Sequence, residues 1–311
     1  MGRADVYSQP HAPDPVLTDE LVLGLTRQHM SEVDSVTGVD ESGGEARAYL
    51  VDDTIVVKTQ RPHRLRPRTS LAKEAYLLEA LAPVLGARIP RLLGYGKLDT
   101  GQGPVEYICM SRVPGHAARH ATLDAAARQA LISELGRLLR RLHAASVGTN
   151  RLPTDSDATA LRRRLEHGFA DIADSFAAQH FSLVLLPLAL DRIISRSLAA
   201  LPQTLTQAPM PLHSNPSATH VFVDPGTGRL TGLIDFGDSY AGHPALDLHR
   251  WPNPADRIIL RHGYLGGTVP TAEFEQVWTI AMIAADLTAI ARGSLHTDAA
   301  IADLAVRLED V

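Results

Sequence analysis

A single cysteine, Cys109, stands in 311 residues. That excludes a disulfide framework and suits a reducing compartment, so a cytoplasmic location is expected. Lysine is almost as scarce. Lys58, Lys73 and Lys97 are the only three among 30 basic residues, the rest being arginine. The chain also lacks an excess of positive charge: its net charge of −5 leaves no polybasic surface for nucleic acid, although it would suit a cationic substrate. No run approaches the roughly eighteen apolar residues of a membrane span, because FSLVLLPLAL, from Phe181, is short and contains Pro187. No membrane partner is therefore expected. The first twenty residues are polar and proline-rich without an apolar signal core, and read as a loose arm. Internal repeats and low-complexity tracts are missing too. The length suits one large domain or two lobes with a substantial core.

What is present is concentrated between Leu212 and Leu248, LHSNPSATHVFVDPGTGRLTGLIDFGDSYAGHPALDL. Val221 to Val223 and Leu230 to Ile234 are two short apolar runs, and Asp224-Pro225-Gly226-Thr227-Gly228 between them is turn chemistry. The pattern predicts a β-hairpin that brings His213, Asn215, His220 and Asp235 to one end. Upstream, Ala46 to Val51 and Thr54 to Lys58 read as strands joined by an Asp52-Asp53 turn, and LAKEAYLLEALAPVL from Leu71 reads as a helix. Glu41-Ser42-Gly43-Gly44-Glu45 is a turn immediately before those strands, and Val105 to Met110 is a further strand leading into Ser111-Arg112-Val113-Pro114-Gly115. From Asp124 to Ala145, Leu131, Leu135, Leu138, Leu139 and Leu142 recur at helical spacing, with His143 near the end as a packed or capping histidine. Two more helices are expected over 271–308, the first carrying a core stripe of Phe274, Trp278 and Met282.

The loop, hairpin and turn from His213 to Asp238 resemble the catalytic and metal-binding loops of the aminoglycoside phosphotransferase family, relatives of the protein kinases, in which H-x-D-x-x-x-x-N precedes a hairpin and a D-F-G-like turn. Two positions depart from that pattern. Asn215 stands where the family has its catalytic Asp, and His220 stands where it has a metal-binding Asn. Asp235 matches the magnesium-binding Asp, Asp247 matches an acidic residue shortly after it, and His243 sits where another Asp is common. The resemblance implies that His213 opens the catalytic loop and that Lys58 binds the nucleotide phosphates and pairs with a glutamate of the next helix, Glu74 rather than Glu79. It also implies that Gly43 and Gly44 approach the phosphates and that main-chain groups near Ser111 and Val113 meet the adenine at a hinge.

The fold so implied is α+β and protein-kinase-like, with an N-terminal antiparallel-sheet lobe carrying one helix over residues 1–110 and a mainly helical lobe over 111–311. The activity implied is transfer of the γ-phosphate of ATP or GTP, with magnesium or manganese, to a hydroxyl of a small molecule. An aminoglycoside-type antibiotic is the leading acceptor, and a macrolide, another natural product or a choline- or homoserine-like metabolite is the alternative. Asn215 can accept a hydrogen bond but is not a useful proton acceptor. Three accounts of it stay open: an inactivated form of a working kinase, a nucleotide-binding pseudokinase acting through a protein partner, and a slow kinase that relies on positioning. His220 raises a question of metal, since imidazole suits transition metals better than magnesium. A hydrolase site made of His213, His243 and Asp247 ranks below all of these, for want of a nucleophile. No oligomeric state is implied.

Overall fold

The computed structural model describes residues 16–41, 43–62, 69–100, 103–179 and 186–311. The described chain forms two compact units. One holds residues of Met1–Gly115 together with Thr231–Ser239, and the other holds His116–Leu230 and Tyr240–Val311. The chain thus leaves the second unit for the IDFGD turn and then returns to it.

The first unit is built on a five-stranded antiparallel sheet, ordered β1 (Val36–Asp40), β2 (Ala46–Val51), β3 (Ile55–Gln60), β5 (Gly103–Ser111), β4 (Leu92–Thr100). Asp52 and Asp53, the first two residues of the three-residue loop between Val51 and Ile55, both take positive φ, 47° and 57°, a left-handed backbone that short carboxylate side chains tolerate. Residues alternate faces along a strand. In β3, Val57 points into a cluster with Tyr49, Val51 and Cys109, which α1 (Asp19–Arg27) completes with Val22 and Leu25. Lys58 consequently belongs to the other face. Burial pushes the Cys109 thiol up to about 11, which keeps it protonated and unreactive in this core. The helix α2 spans Leu71–Leu85, capped by the Ser70 hydroxyl accepting from the Lys73 N–H.

Two features of this unit differ from the sequence reading. Residues 1–15 of the expected arm lie outside the described residues, but its end is ordered: Leu17 is buried, and Thr18 caps α1 by accepting from the Leu21 N–H. An amphipathic helix this short gives a weak periodic signal. The strand β4 went unread because its glycines, Gly94 and Gly96, break the apolar alternation. They are needed where they stand, since a Cβ on Gly94 would lie 2.2 Å from the His29 ring and one on Gly96 2.7 Å from the Tyr107 ring.

The second unit is mainly helical. After the short strand β6 (His116–Ala117) come α3 (Ala125–His143), α4 (Ala158–Gln179) and α5 (Leu190–Ala199). Strands β7 (Met210–Leu212) and β8 (Val221–Val223) follow, then β9 (Leu230–Leu233), of which only Leu230 belongs to this unit, then β10 (Tyr240–Gly242), α6 (Pro254–Leu265), α7 (Ala272–Ala291) and α8 (Thr297–Arg307). The hairpin turn is closed by the Asp224 N–H on the Arg229 carbonyl at 2.9 Å, and by the Asp224 carboxylate accepting from Gly226 and Thr227. Helices α3 and α6 cross closely. A Cβ on Gly136 would sit 2.3 Å from the Leu260 carbonyl, and one on Gly263 2.3 Å from the Ser133 carbonyl, so only glycine lets these backbones meet. By length and composition α7 could cross a membrane, but 72% of its apolar window is buried inside the protein. Its Val277, Ile280, Met282, Ile283 and Leu287 form the centre of this unit's core.

Candidate active site

In the first unit, Lys58 reaches across to two carboxylates. Its Nζ lies 2.8 Å from Glu74 Oε2 and 2.5 Å from Asp235 Oδ1. Glu74 is the partner because it occupies the buried first turn of α2, whereas Glu79, five residues on, faces solvent. Burial alone would discharge the ammonium, but Asp235 and Glu74 outweigh it and hold the Lys58 pKa above that of an ordinary lysine. For Glu74, burial raises the carboxyl pKa, Lys58 lowers it and Asp235 raises it again, with a net rise. Asp235 takes a left-handed φ of 70°, which turns the chain so that the Phe236 N–H donates to Glu74 Oε1 at 3.2 Å. A non-glycine residue held there marks a constrained, function-bearing turn.

Thr69 was not singled out in the sequence. Its hydroxyl lies 2.6 Å from Asp238 Oδ1 and 3.0 Å from Glu45 Oε1, and the Ser70 N–H meets the Gly237 carbonyl at 3.4 Å, so the entry to α2 ties together the glycine turn and the IDFGD turn. The second Asp of IDFGD was the available signal. In the glycine turn, Ser42 lies outside the described residues; the Gly43 carbonyl accepts from Arg61 at 3.1 Å, and a Cβ on Gly44 would meet nothing within 4 Å. Ser111, expected at the adenine edge, is engaged within the sheet: its N–H donates to the Arg91 carbonyl at 2.9 Å and its hydroxyl accepts from the Arg91 N–H at 2.8 Å. Val113 is buried nearby, 2.9 Å from where a Cβ on Gly232 would sit.

In the second unit, Asp247 organises the catalytic-loop segment. Its Oδ2 accepts the His213 N–H at 2.7 Å and its Oδ1 the Ser214 N–H at 2.8 Å. Burial would raise this carboxyl, but the hydrogen bond from His143, the electrostatic pull of the His143 and His213 imidazoles, and the His213 N–H hold it below the ordinary value, hence ionised. Ser214 has φ of 80°, and the Asn215 N–H then donates to His213 Nδ1 at 3.2 Å. His213 is fully buried, and as acceptor at Nδ1 its neutral ring carries the proton on Nε2. The Asn215 carbonyl accepts from the Ser217 N–H and from His220 Nδ1, each at 2.8 Å. A carbonyl only accepts, so His220 carries a proton on Nδ1. The Asn215 carboxamide itself makes no hydrogen bond among the described residues.

His243 caps the turn Pro244–Asp247 through Nδ1, which accepts from the Ala245 N–H at 3.3 Å. Its Nε2 lies 3.6 Å from Glu273 Oε1, too far for a hydrogen bond. Burial drives its pKa from 6.5 down to about 4, with Glu273 opposing and His143 assisting. Between those two pH values the unfolded chain binds the proton that the folded chain refuses, so stability is lost as pH falls from 6.5 towards 4. The expected loss is about 3 kcal/mol, at about 1.4 kcal/mol for each pKa unit. Urea unfolding at pH 7 and pH 4.5 checks this: His243→Asn, which retains an acceptor for the cap, should lose less stability on acidification than the parent. An equal loss would show that His243 does not titrate between these limits.

A family model described as "Phosphotransferase enzyme family" matches residues 37–265. That span covers the sheet, α2, the loop at His213–His220, the IDFGD turn and Asp247. The chain belongs to the phosphotransferase enzyme family. Its fold agrees with this membership and is protein-kinase-like. It is similar to the GDP and kanamycin complex of APH(2″)-IIia, with a TM-score of 0.59 at 17% identity over 93% of this chain and 98% of that one. It is similar also to the apoenzyme of the macrolide 2′-phosphotransferase MphH from Brachybacterium faecium, with a TM-score of 0.58 at 22% identity over 92% and 98%. A third likeness is to the streptomycin–ATP–APH(2″)-IIa ternary complex, with a TM-score of 0.58 at 15% identity over 93% and 97%.

Proposed function

We propose that this phosphotransferase-family chain moves the γ-phosphate of ATP or GTP to a hydroxyl of a small molecule, an aminoglycoside-type antibiotic in the first instance. The observation that carries the reading is the charged Lys58 held between Glu74 and Asp235, the side chains that phosphoryl transfer requires for holding nucleotide phosphates and metal. Lys58 binds the phosphates while Glu74 keeps it aimed. Gly44, which the fold does not require to be glycine, leaves room for the main chain to approach phosphate oxygens. Asp235 would hold the divalent cation through a carboxylate oxygen; the family pattern also gives the position of His220 to a metal ligand, and an imidazole there would favour manganese over magnesium. When bound, that cation neutralises charge on the β- and γ-phosphates. The Asn215 amide oxygen accepts a hydrogen bond from the acceptor hydroxyl and orients it, without removing its proton.

Nucleoside diphosphate release tested against aminoglycosides, macrolides and small alcohol metabolites names the acceptor class. Release stimulated by an aminoglycoside supports the reading, whereas nucleotide binding without any acceptor-dependent release favours a pseudokinase. A macrolide is the second reading, favoured by the likeness to a macrolide 2′-phosphotransferase. The metal assignment has its own check. His220→Asn should lower the ratio of manganese-supported to magnesium-supported turnover by roughly tenfold, the scale on which metal-site changes act. An unchanged ratio would remove His220 from the metal shell.

A further inference from the structure

Asp247 is itself held from behind. His143 Nε2 lies 3.0 Å from its Oδ2, and the opposite nitrogen, Nδ1, lies 3.0 Å from the Tyr264 hydroxyl. A carboxylate accepts, so Nε2 donates, and in the neutral imidazole Nδ1 accepts the phenol proton. The order of donation is then Tyr264 to His143 to Asp247, whose two oxygens also receive the His213 and Ser214 N–H groups. All three side chains are inside the second unit: Tyr264 is 9% exposed, His143 3% and Asp247 0%. Nothing in the cap or core chemistry of α3 or α6 calls for a polar pair here. A leucine would fill either position in an apolar interface without needing a partner.

The placement of the pair is rigidly set. His143 is the last residue of α3, and Tyr264 lies in the last turn of α6, two helices whose approach depends on Gly136 and Gly263. The Tyr264 ring stacks on Phe274 of α7, centroids 6.1 Å apart and planes 11° from parallel, so its hydroxyl has little freedom. At the other end of the relay is Ser214, a non-glycine residue at positive φ. Such a backbone persists only where its surroundings over-determine it.

We infer that Tyr264 and His143 are positioning residues: acting through Asp247, they hold His213, Ser214 and Asn215 in the strained loop that aims the Asn215 side chain. The role in catalysis rests on the phosphotransfer reading above, while the hold on the loop does not. Tyr264→Phe removes one hydroxyl and leaves the stack on Phe274, which makes it the decisive variant. Main-chain hydrogen exchange at His213 and Ser214 should become about tenfold faster, the effect of losing one ordinary hydrogen bond, with α3 and α6 exchanging as before. In the Asn215→Asp background, assayed well below the unfolding midpoint, kcat should fall about tenfold while the nucleotide KM stays put. His143→Gln, which keeps a donor towards Asp247, should retain more activity than His143→Leu.

Unchanged exchange at both amides overturns the inference outright. Faster exchange with undiminished kcat overturns the positioning role, as does a loss of kcat that merely follows a lowered unfolding midpoint. If no acceptor supports turnover in any form, the phosphotransfer reading fails, and the exchange comparison alone decides whether the relay holds the loop.

Discussion

Replacing Asn215 by Asp is expected to raise acceptor-dependent turnover by about 10²–10⁴-fold, the contribution of a positioned general base. The surroundings are ready for the change. The Asn215 main chain is fixed at both ends, by His213 Nδ1 on its N–H and by Ser217 and His220 on its carbonyl, while its carboxamide makes no hydrogen bond among the described residues. A carboxylate of the same shape can therefore enter without rearrangement and take the proton that an amide refuses. The check is kcat for nucleoside diphosphate release by the two forms, with equal nucleotide affinity as the control. Comparable rates would mean that orientation alone drives the reaction, as a loose transition state allows. Silence from both forms despite nucleotide binding would move the weight to a pseudokinase.

Lys58→Met should have the second large effect, on activity and on stability together. Turnover should fall below detection, since the ammonium that Glu74 and Asp235 hold for the phosphates is gone. The stability change follows from burial: the Glu74 side chain is 0% exposed and would keep its carboxylate without the ammonium now 2.8 Å away. Breaking one side of a buried pair costs about 3–5 kcal/mol. The sign with pH can be worked out. Burial already raises the Glu74 carboxyl, and losing the opposing pull of Lys58 raises it further. A carboxyl whose folded pKa exceeds its unfolded value of 4.5 is destabilising once ionised, so stability is retained at low pH and lost as pH rises through the folded pKa. Denaturant midpoints should accordingly separate variant and parent more at pH 8 than at pH 5.5, and Lys58→Met with Glu74→Gln should recover stability but not turnover. A deficit equal at both pH values would show that Glu74 escapes to solvent.

Much of the architecture was legible because local chemistry and tertiary context agree. The Asp52-Asp53 turn, the helix from Leu71 and the leucine stripe of α3 each carry their own signal, in turn preference or periodicity. The preference for Glu74 over Glu79 followed from position in α2 and matches the ion pair found. What escaped the sequence depended on contacts distant along the chain. β4 is a strand whose glycines exist for His29 and Tyr107, and α6 is a helix whose Gly263 answers to Ser133 on α3. Thr69 and Tyr264 meet partners 169 and 121 residues away, and no spacing rule reaches that far. Ser111 was read from hinge resemblance, and its N–H proved to belong to Arg91 because β5 continues through it. His243, read as a departure from an acidic position, keeps the capping function that an Asp would serve, since its Nδ1 offers the same acceptor to the Ala245 N–H.

The most direct test of the central claim follows a labelled γ-phosphate. The Asn215→Asp form and its Lys58→Met derivative are incubated with labelled ATP or GTP, a divalent cation and an aminoglycoside, and the acceptor is isolated. A small-molecule phosphotransferase places the label on an acceptor hydroxyl in the first case and not in the second. Label that never leaves the nucleotide, or that appears only as free phosphate whatever the acceptor, would contradict it.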